Sequence, residues 1–111
     1  MEDIQYKGLK NLDSIQIKEV QNLCENELIK IKRELRSQTA KMFIDIHLQE
    51  KDGKREKFSF HIRILNPTIV LTAKHSDFQI MKALHKSFDN LKTEGDKKFR
   101  KDVTKSKVKK F

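Results

Sequence analysis

Three apolar alternations in the middle of the chain restrict its fold more than any other feature. Met42, Ile44, Ile46 and Leu48 alternate with Phe43, Asp45 and His47. Phe58, Phe60, Ile62 and Ile64 alternate with Ser59, His61 and Arg63, and Ile69, Leu71 and Ala73 with Val70, Thr72 and Lys74. A period of two predicts three strands, each apolar on one side and mixed on the other.

The corners decide whether those faces agree. Around Asp52-Gly53 the apolar positions are even-numbered on both strands, so partners on one face need an even index sum. A two-residue Asp-Gly turn would pair Lys51 with Lys54, an odd sum, and would turn one strand over. A three-residue loop with Gly53 in the left-handed position pairs Glu50 with Lys54 and keeps the faces aligned. At the next corner, Asn66-Pro67 as central residues pair Leu65 with Thr68. That sum is odd and sets Ile62 and Ile64 beside Ile69 and Leu71. The expectation is a meander with one apolar and one polar face.

Two helical stripes supply a cover. Asp3 to Leu9, with Ile4 and Tyr6 in alternation, predicts a short first strand, and Asp13 or Ser14 a cap after a loop. Val20, Leu23, Cys24, Leu28, Ile31 and Leu35 then recur at helical spacing to about Arg36. A last helix is predicted after a cap at Ser76 or Asp77, burying Phe78, Met81, Leu84, Phe88 and Leu91, with Phe99 rejoining the stripe. Glu94-Gly95-Asp96 predicts an end or a loosening there. The fold class is α+β, in the order β-α-β-β-β-α, with a four-stranded sheet and both helices on one face. Residues 1–102 form one domain and 103–111 a basic, disordered tail.

Charge directs the search for a partner. The chain carries a net charge of +9 with 37% charged residues, an excess that suits a polyanion, either nucleic acid or an anionic membrane surface. From Asp77 onward stand 11 Lys/Arg against 5 Asp/Glu, so the field is concentrated in the last third. On a wheel centred on Phe88, the apolar residues fall within about 80°. Lys82, Lys86, Lys97, Arg100 and Lys101 fall at about 120° to 220°, a basic ridge about four turns long if the helix survives Gly95. Lys30, Lys32, Arg33 and Arg36 form a second cluster, which would also suit the negative end of the first helix.

Other chemistry finds little support. His47 and His61 share the polar face with Asp45 and Arg63, too few ligands for a metal. Cys24 lies on an apolar stripe and reads as core; alone, it forms no internal disulfide. There is no Gly-rich phosphate loop or nucleophile elbow, so neither an enzyme nor a cofactor is expected. Phe43 is the only strand aromatic on the polar face, which argues against an RRM-like reader and for recognition by backbone and shape. No secretory signal or membrane-spanning run is read, and a soluble, cytoplasmic protein is expected.

Thr68-Ile-Val-Leu-Thr-Ala-Lys-His-Ser-Asp-Phe78 and its continuation Gln79-Ile-Met-Lys-Ala-Leu-His-Lys-Ser-Phe88 resemble the ribosome hibernation promoting factor family, also called ribosome-associated inhibitor A or sigma-54 modulation protein. The resemblance covers about residues 3–102, with a last strand, an Asp at the helix junction and a Lys-rich end. It departs where that family commonly has Tyr, since Gln79 follows Asp77, and where Glu94-Gly95-Asp96 interrupts the basic stretch. The resemblance implies a short-form translation inhibitor on the small ribosomal subunit, blocking the mRNA and tRNA sites under stress or in stationary phase. It implies ribosomal RNA contacts by Lys82, Lys86, Lys97, Lys98, Arg100 and Lys101, with Lys30 and Arg33 from the first helix. No membrane or DNA partner is expected, and a monomer off the ribosome. The alternatives are another regulator of structured RNA, or a protein-binding adaptor of transcription machinery.

Overall fold

A computed structural model describes residues 3–51 and 55–107, without the side chains of residues 50, 51, 55, 56 and 99–107. Its order is β1 (Ile4–Lys7), a 3-10 turn (Leu9–Asn11), α1 (Ser14–Leu35), β2 (Lys41–Lys51), β3 (Arg55–Asn66), β4 (Ile69–Asp77) and α2 (Ile80–Lys107). The strands form one mixed sheet in the order β1-β2-β3-β4, with β1 parallel to β2 and the other pairs antiparallel. The expected α+β class and element order are those observed.

Parity holds at both corners, and register moves by one pair. Lys51 faces Arg55 and Ile44 faces Ile62, so Met42, Ile44, Ile46, Phe58, Phe60, Ile62 and Ile64 are buried on one face. The three-residue loop is thus 52–54, and the left-handed Gly53 expected there lies outside the described residues. At the second corner Asn66 faces Ile69, leaving Pro67 and Thr68 as the central residues. Proline's fixed φ suits the first central position of a turn better than the second, which is why the corner slides.

Local chemistry sets the ends of α1. The Asp13 carboxylate accepts from the Gln16 N–H at 2.7 Å while the Gln16 side chain accepts from the Asp13 N–H at 3.1 Å, a reciprocal capping box. At the other end Ser37 N–H bonds Lys32 O and Arg36 N–H bonds Arg33 O, with Arg36 left-handed at φ 51°. That is a Schellman stop made without glycine. Val20, Cys24, Leu28 and Ile31 join Ala83, Leu84, Phe88 and Leu91 of α2 and the apolar sheet face in one core.

The last helix departs from expectation at both its start and its end. β3 offers partners as far as Phe58, so β4 continues to Asp77, and the helix begins only at Ile80. Phe78, expected in the buried stripe, is 48% exposed beside Lys57. Asp77 accepts from the Gln79 N–H at 3.1 Å, bridging strand and helix instead of capping the first turn. Further on, the helix runs unbroken through Gly95, which is buried against Leu71, and its backbone continues to Lys107. The remaining residues of the expected tail, 108–111, and the side chain of Phe99 lie outside the described ones.

The β1-to-α1 corner is the tightest point of the fold. Gly8 takes φ 95°, and a Cβ there would lie 2.1 Å from the carbonyl oxygen of Ile46 in β2. That carbonyl stands just beyond the end of β1 and accepts from Asn11 Nδ2 at 3.3 Å, so the corner closes an otherwise open edge. Gly8→Ala is expected to cost at least about 2 kcal/mol in urea unfolding, since both conformation and space are forbidden. Gly95→Ala, whose Cβ would make only a 3.5 Å contact with Leu71, is expected to be neutral or to stabilise by up to about 1 kcal/mol. An unchanged midpoint for Gly8→Ala would refute the packing described.

Candidate nucleic-acid interface

Topology sets the cations at the end of α1 level with Lys97 of α2, whereas Lys82 and Lys86 stand in the first two turns of α2. β1, β2 and β4 all point the same way, and α1 and α2 each turn back after one of them, so the helices are parallel. The C-terminal end of α1 therefore lies beside Gly95 and Asp96 of α2, which runs on to Lys107; aligned carbonyls at the end of α1 favour its positive side chains. Lys30 and Arg33 of α1 are exposed there. On α2, Lys82, Lys86 and Lys97 are exposed on the side away from Phe88.

The ridge is two clusters rather than one line. Lys82 and Lys86 are one turn apart, and Lys97 follows about 16 Å further along the helix. Between them stand Asp89, Asn90 and Thr93, with Thr93 bonded back to Asp89 O and Asn90 donating to Lys74 O at 3.4 Å. Arg100 and Lys101 lie on the helix backbone, and their side chains are outside the described ones.

Several cations expected to be free are occupied. The Lys98 ammonium donates to the Val70 carbonyl on the open edge of β4 and lies 3.6 Å from Glu94. On the wheel it falls about 80° from Phe88, at the border of the buried stripe, so this position was readable in advance. Lys32 pairs with Asp3 and ties α1 to the start of β1. Lys30 sits 3.8 Å from Glu27, and Lys92 of α2 sits 3.6 Å from the same carboxylate.

Glu27 is the polar residue that sequence reasoning missed. It is buried between the helices, with the two lysines closing it off from solvent. Its signal was present, because Val20, Cys24, Glu27 and Ile31 follow one another at four, three and four residues. Beneath it, burial pushes the Cys24 thiol up to about 12, opposed by the Tyr6 hydroxyl beside it. Burial likewise raises Tyr6. Both groups stay protonated at neutral pH, which places Cys24 in the core and not in chemistry.

On the other side of the sheet, His47 lies 3.3 Å from Asp45, and His61 is the cross-strand partner of Asp45. Among the described residues no three His, Cys, Asp or Glu side chains converge as metal ligands, and no helix is long and apolar enough to cross a membrane. Comparison with known proteins adds no relative: no family model, curated protein or solved structure matches the chain.

Two of these contacts yield measurable consequences. The hydrogen bond from Lys32 holds the Asp3 carboxyl below its ordinary range. A depressed folded-state pKa contributes stability above the unfolded value, near 3.8, and loses it as pH falls through the folded one. Asp3→Asn should therefore flatten the loss of stability on acidification below about pH 4, in urea midpoints taken against pH. Arg36 occupies a left-handed position that glycine adopts without cost. Arg36→Gly should raise thermal stability by about 1 kcal/mol; a lower midpoint would show that the guanidinium makes a stabilising contact.

Proposed function

We propose that the chain docks on structured RNA through the exposed cations of its two parallel helices, and that this RNA belongs to the small ribosomal subunit. Bound there, it would occupy the path of mRNA and tRNA and silence translation under stress or in stationary phase. The observation that carries the reading is the run of exposed cations on separate elements: Lys82, Lys86 and Lys97 along α2, with Arg33 and Arg36, and Lys30 beside Glu27, toward the end of α1 near Lys97. A solvated helix face needs charge of either sign. On the exposed side of α2 cations outnumber Asp89 and Asp96, and that excess calls for an anion.

Arg36 supports the same reading from energetics. An arginine held in a conformation that favours glycine costs the fold about 1 kcal/mol, and a charge retained at that cost has a use outside the fold. The resemblance of Thr68 to Phe88, together with the β-α-β-β-β-α order, favours the ribosome among structured RNAs. Arg100 and Lys101 extend the α2 surface in sequence, whereas Lys98 has a structural task at the sheet edge. Contacts of this kind act on phosphates, so affinity comes largely from counterion release and falls steeply with salt.

The test is sucrose-gradient sedimentation of the protein with purified ribosomes at low and high salt. Co-migration with the small subunit at low salt, weakening at high salt, is expected. Protein left at the top under both conditions would exclude the proposal. Reversing Lys82, Lys86 and Lys97 together to Glu should abolish co-migration with the fold intact by circular dichroism, and Arg36→Gly should weaken it. Retained binding in the triple variant would point to docking through protein instead.

A further inference from the structure

The sheet face turned away from both helices has a charge pattern of its own. Among the residues whose side chains are described, Lys7, Lys41, Lys57, Arg63 and Lys74 stand there against Asp45. Register arranges this face in rows across all four strands. Gln5, Phe43, Arg63 and Thr72 make one row, and Lys7, Asp45, His61 and Lys74 the next. Each row spans about 14 Å, and neighbouring rows are about 7 Å apart.

At the centre of the first row the Arg63 guanidinium lies over the Phe43 ring, 5.1 Å from its centroid. The pair borders a shallow depression that reaches from Gln5 and Lys7 to His61. An exposed sheet face needs polar residues for solvation, but mixed signs would serve that end with less repulsion between neighbours. Five cations to one carboxylate is the pattern of a face that meets an anion.

The occupant follows from charge and shape. A second copy of the chain would set cations against cations, so self-pairing is disfavoured. An acidic protein would match the charge but leave the stacked pair without a purpose. A nucleotide strand uses both features, since a base stacks on a guanidinium plane or an aromatic ring while its phosphates meet lysines.

We propose that this face binds a single-stranded nucleic acid, with one base stacked on the Arg63–Phe43 pair and flanking phosphates on Lys7 and Lys74. One aromatic centre does not read sequence, so binding is tolerant of base identity. The surface lies on elements other than the α2 lysines and does not depend on the ribosomal reading. Where both hold, the protein has an RNA contact on each of its two broad faces.

The experiment is fluorescence anisotropy of the full chain with a labelled, unstructured RNA of about ten nucleotides, with heparin as a polyanion lacking bases. Arg63→Glu with Lys74→Glu is expected to weaken RNA binding at least about tenfold and to lower the salt slope by about 0.7, for the one phosphate contact at Lys74. Phe43→Leu should weaken RNA binding about fivefold or more and leave heparin binding unchanged, whereas Phe43→Tyr should keep both. The triple reversal at Lys82, Lys86 and Lys97 should weaken the short RNA less than the sheet variants do and leave the fold-change caused by Phe43→Leu as in the parent. Should the Glu pair disturb the fold by circular dichroism, Lys7→Gln with Lys74→Gln carries the same expectation of weaker binding. No binding by the parent, equal loss from ridge and sheet variants, or a Phe43→Leu effect shared with heparin would each overturn the proposal.

Discussion

Because side chains alternate along a strand, a slip of one residue in the β2–β3 hairpin would turn Met42, Ile44 and Ile46 toward water and bury Asp45 and His47, and one in the β3–β4 hairpin would expose Leu71 and Ala73 and bury Thr72 and Lys74. The sheet therefore tolerates slips of two in index sum but not of one, and both corners use that freedom. Every other surface follows from this parity. It gives α1 and α2 one apolar face to cover, makes them parallel neighbours, and leaves Phe43, Arg63 and Lys74 together on the far side.

A sheet of this size must also close its edges, and here the closure draws on the same residue types that give the protein its charge. At β4, Lys98 and Asn90 of α2 occupy the carbonyls of Val70 and Lys74. At β2, the Gly8 corner and Asn11 take the Ile46 carbonyl where β1 stops. These contacts satisfy acceptors that would otherwise recruit another strand. Lys32 and Lys92 are drawn inward too, toward Asp3 and Glu27. The external field is set by what remains: exposed cations on the helices and on the open sheet face.

What the sequence makes legible divides along physical lines. Periodicity and parity are local properties, so the strands, both helices, their order and the buried stripe of α1 could be read directly. The Gly8 contact could not, because the atom that forbids a side chain belongs to Ile46, far along the chain. Phe78 was misplaced because pairing with β3 extends β4 past the residues that looked like a cap. Gly95 suggested a break when judged by propensity alone, but packing against Leu71 and the core carries the helix through. Among the candidate site residues, their sign was legible and their availability only in part. The wheel sets Lys98 at the border of the buried stripe and Lys82 in solvent, but the carbonyl that Lys98 meets belongs to Val70, far along the chain.

Availability, rather than net charge, is thus the quantity that bears on function. A buried carboxylate such as Glu27 holds two lysines close, and the lysine most enclosed by such contacts has least to offer a phosphate. Arg36 shows the opposite arrangement, an exposed guanidinium kept at a backbone position that glycine would fill more cheaply. Arg63 lies between these extremes, exposed and set over an aromatic ring that leaves its charge unneutralised. A cation held by such a contact has less freedom left to lose on binding than one with no contact. The two broad faces are therefore suited to different tasks. The helices present separated point charges, and the sheet presents a guanidinium paired with an aromatic ring.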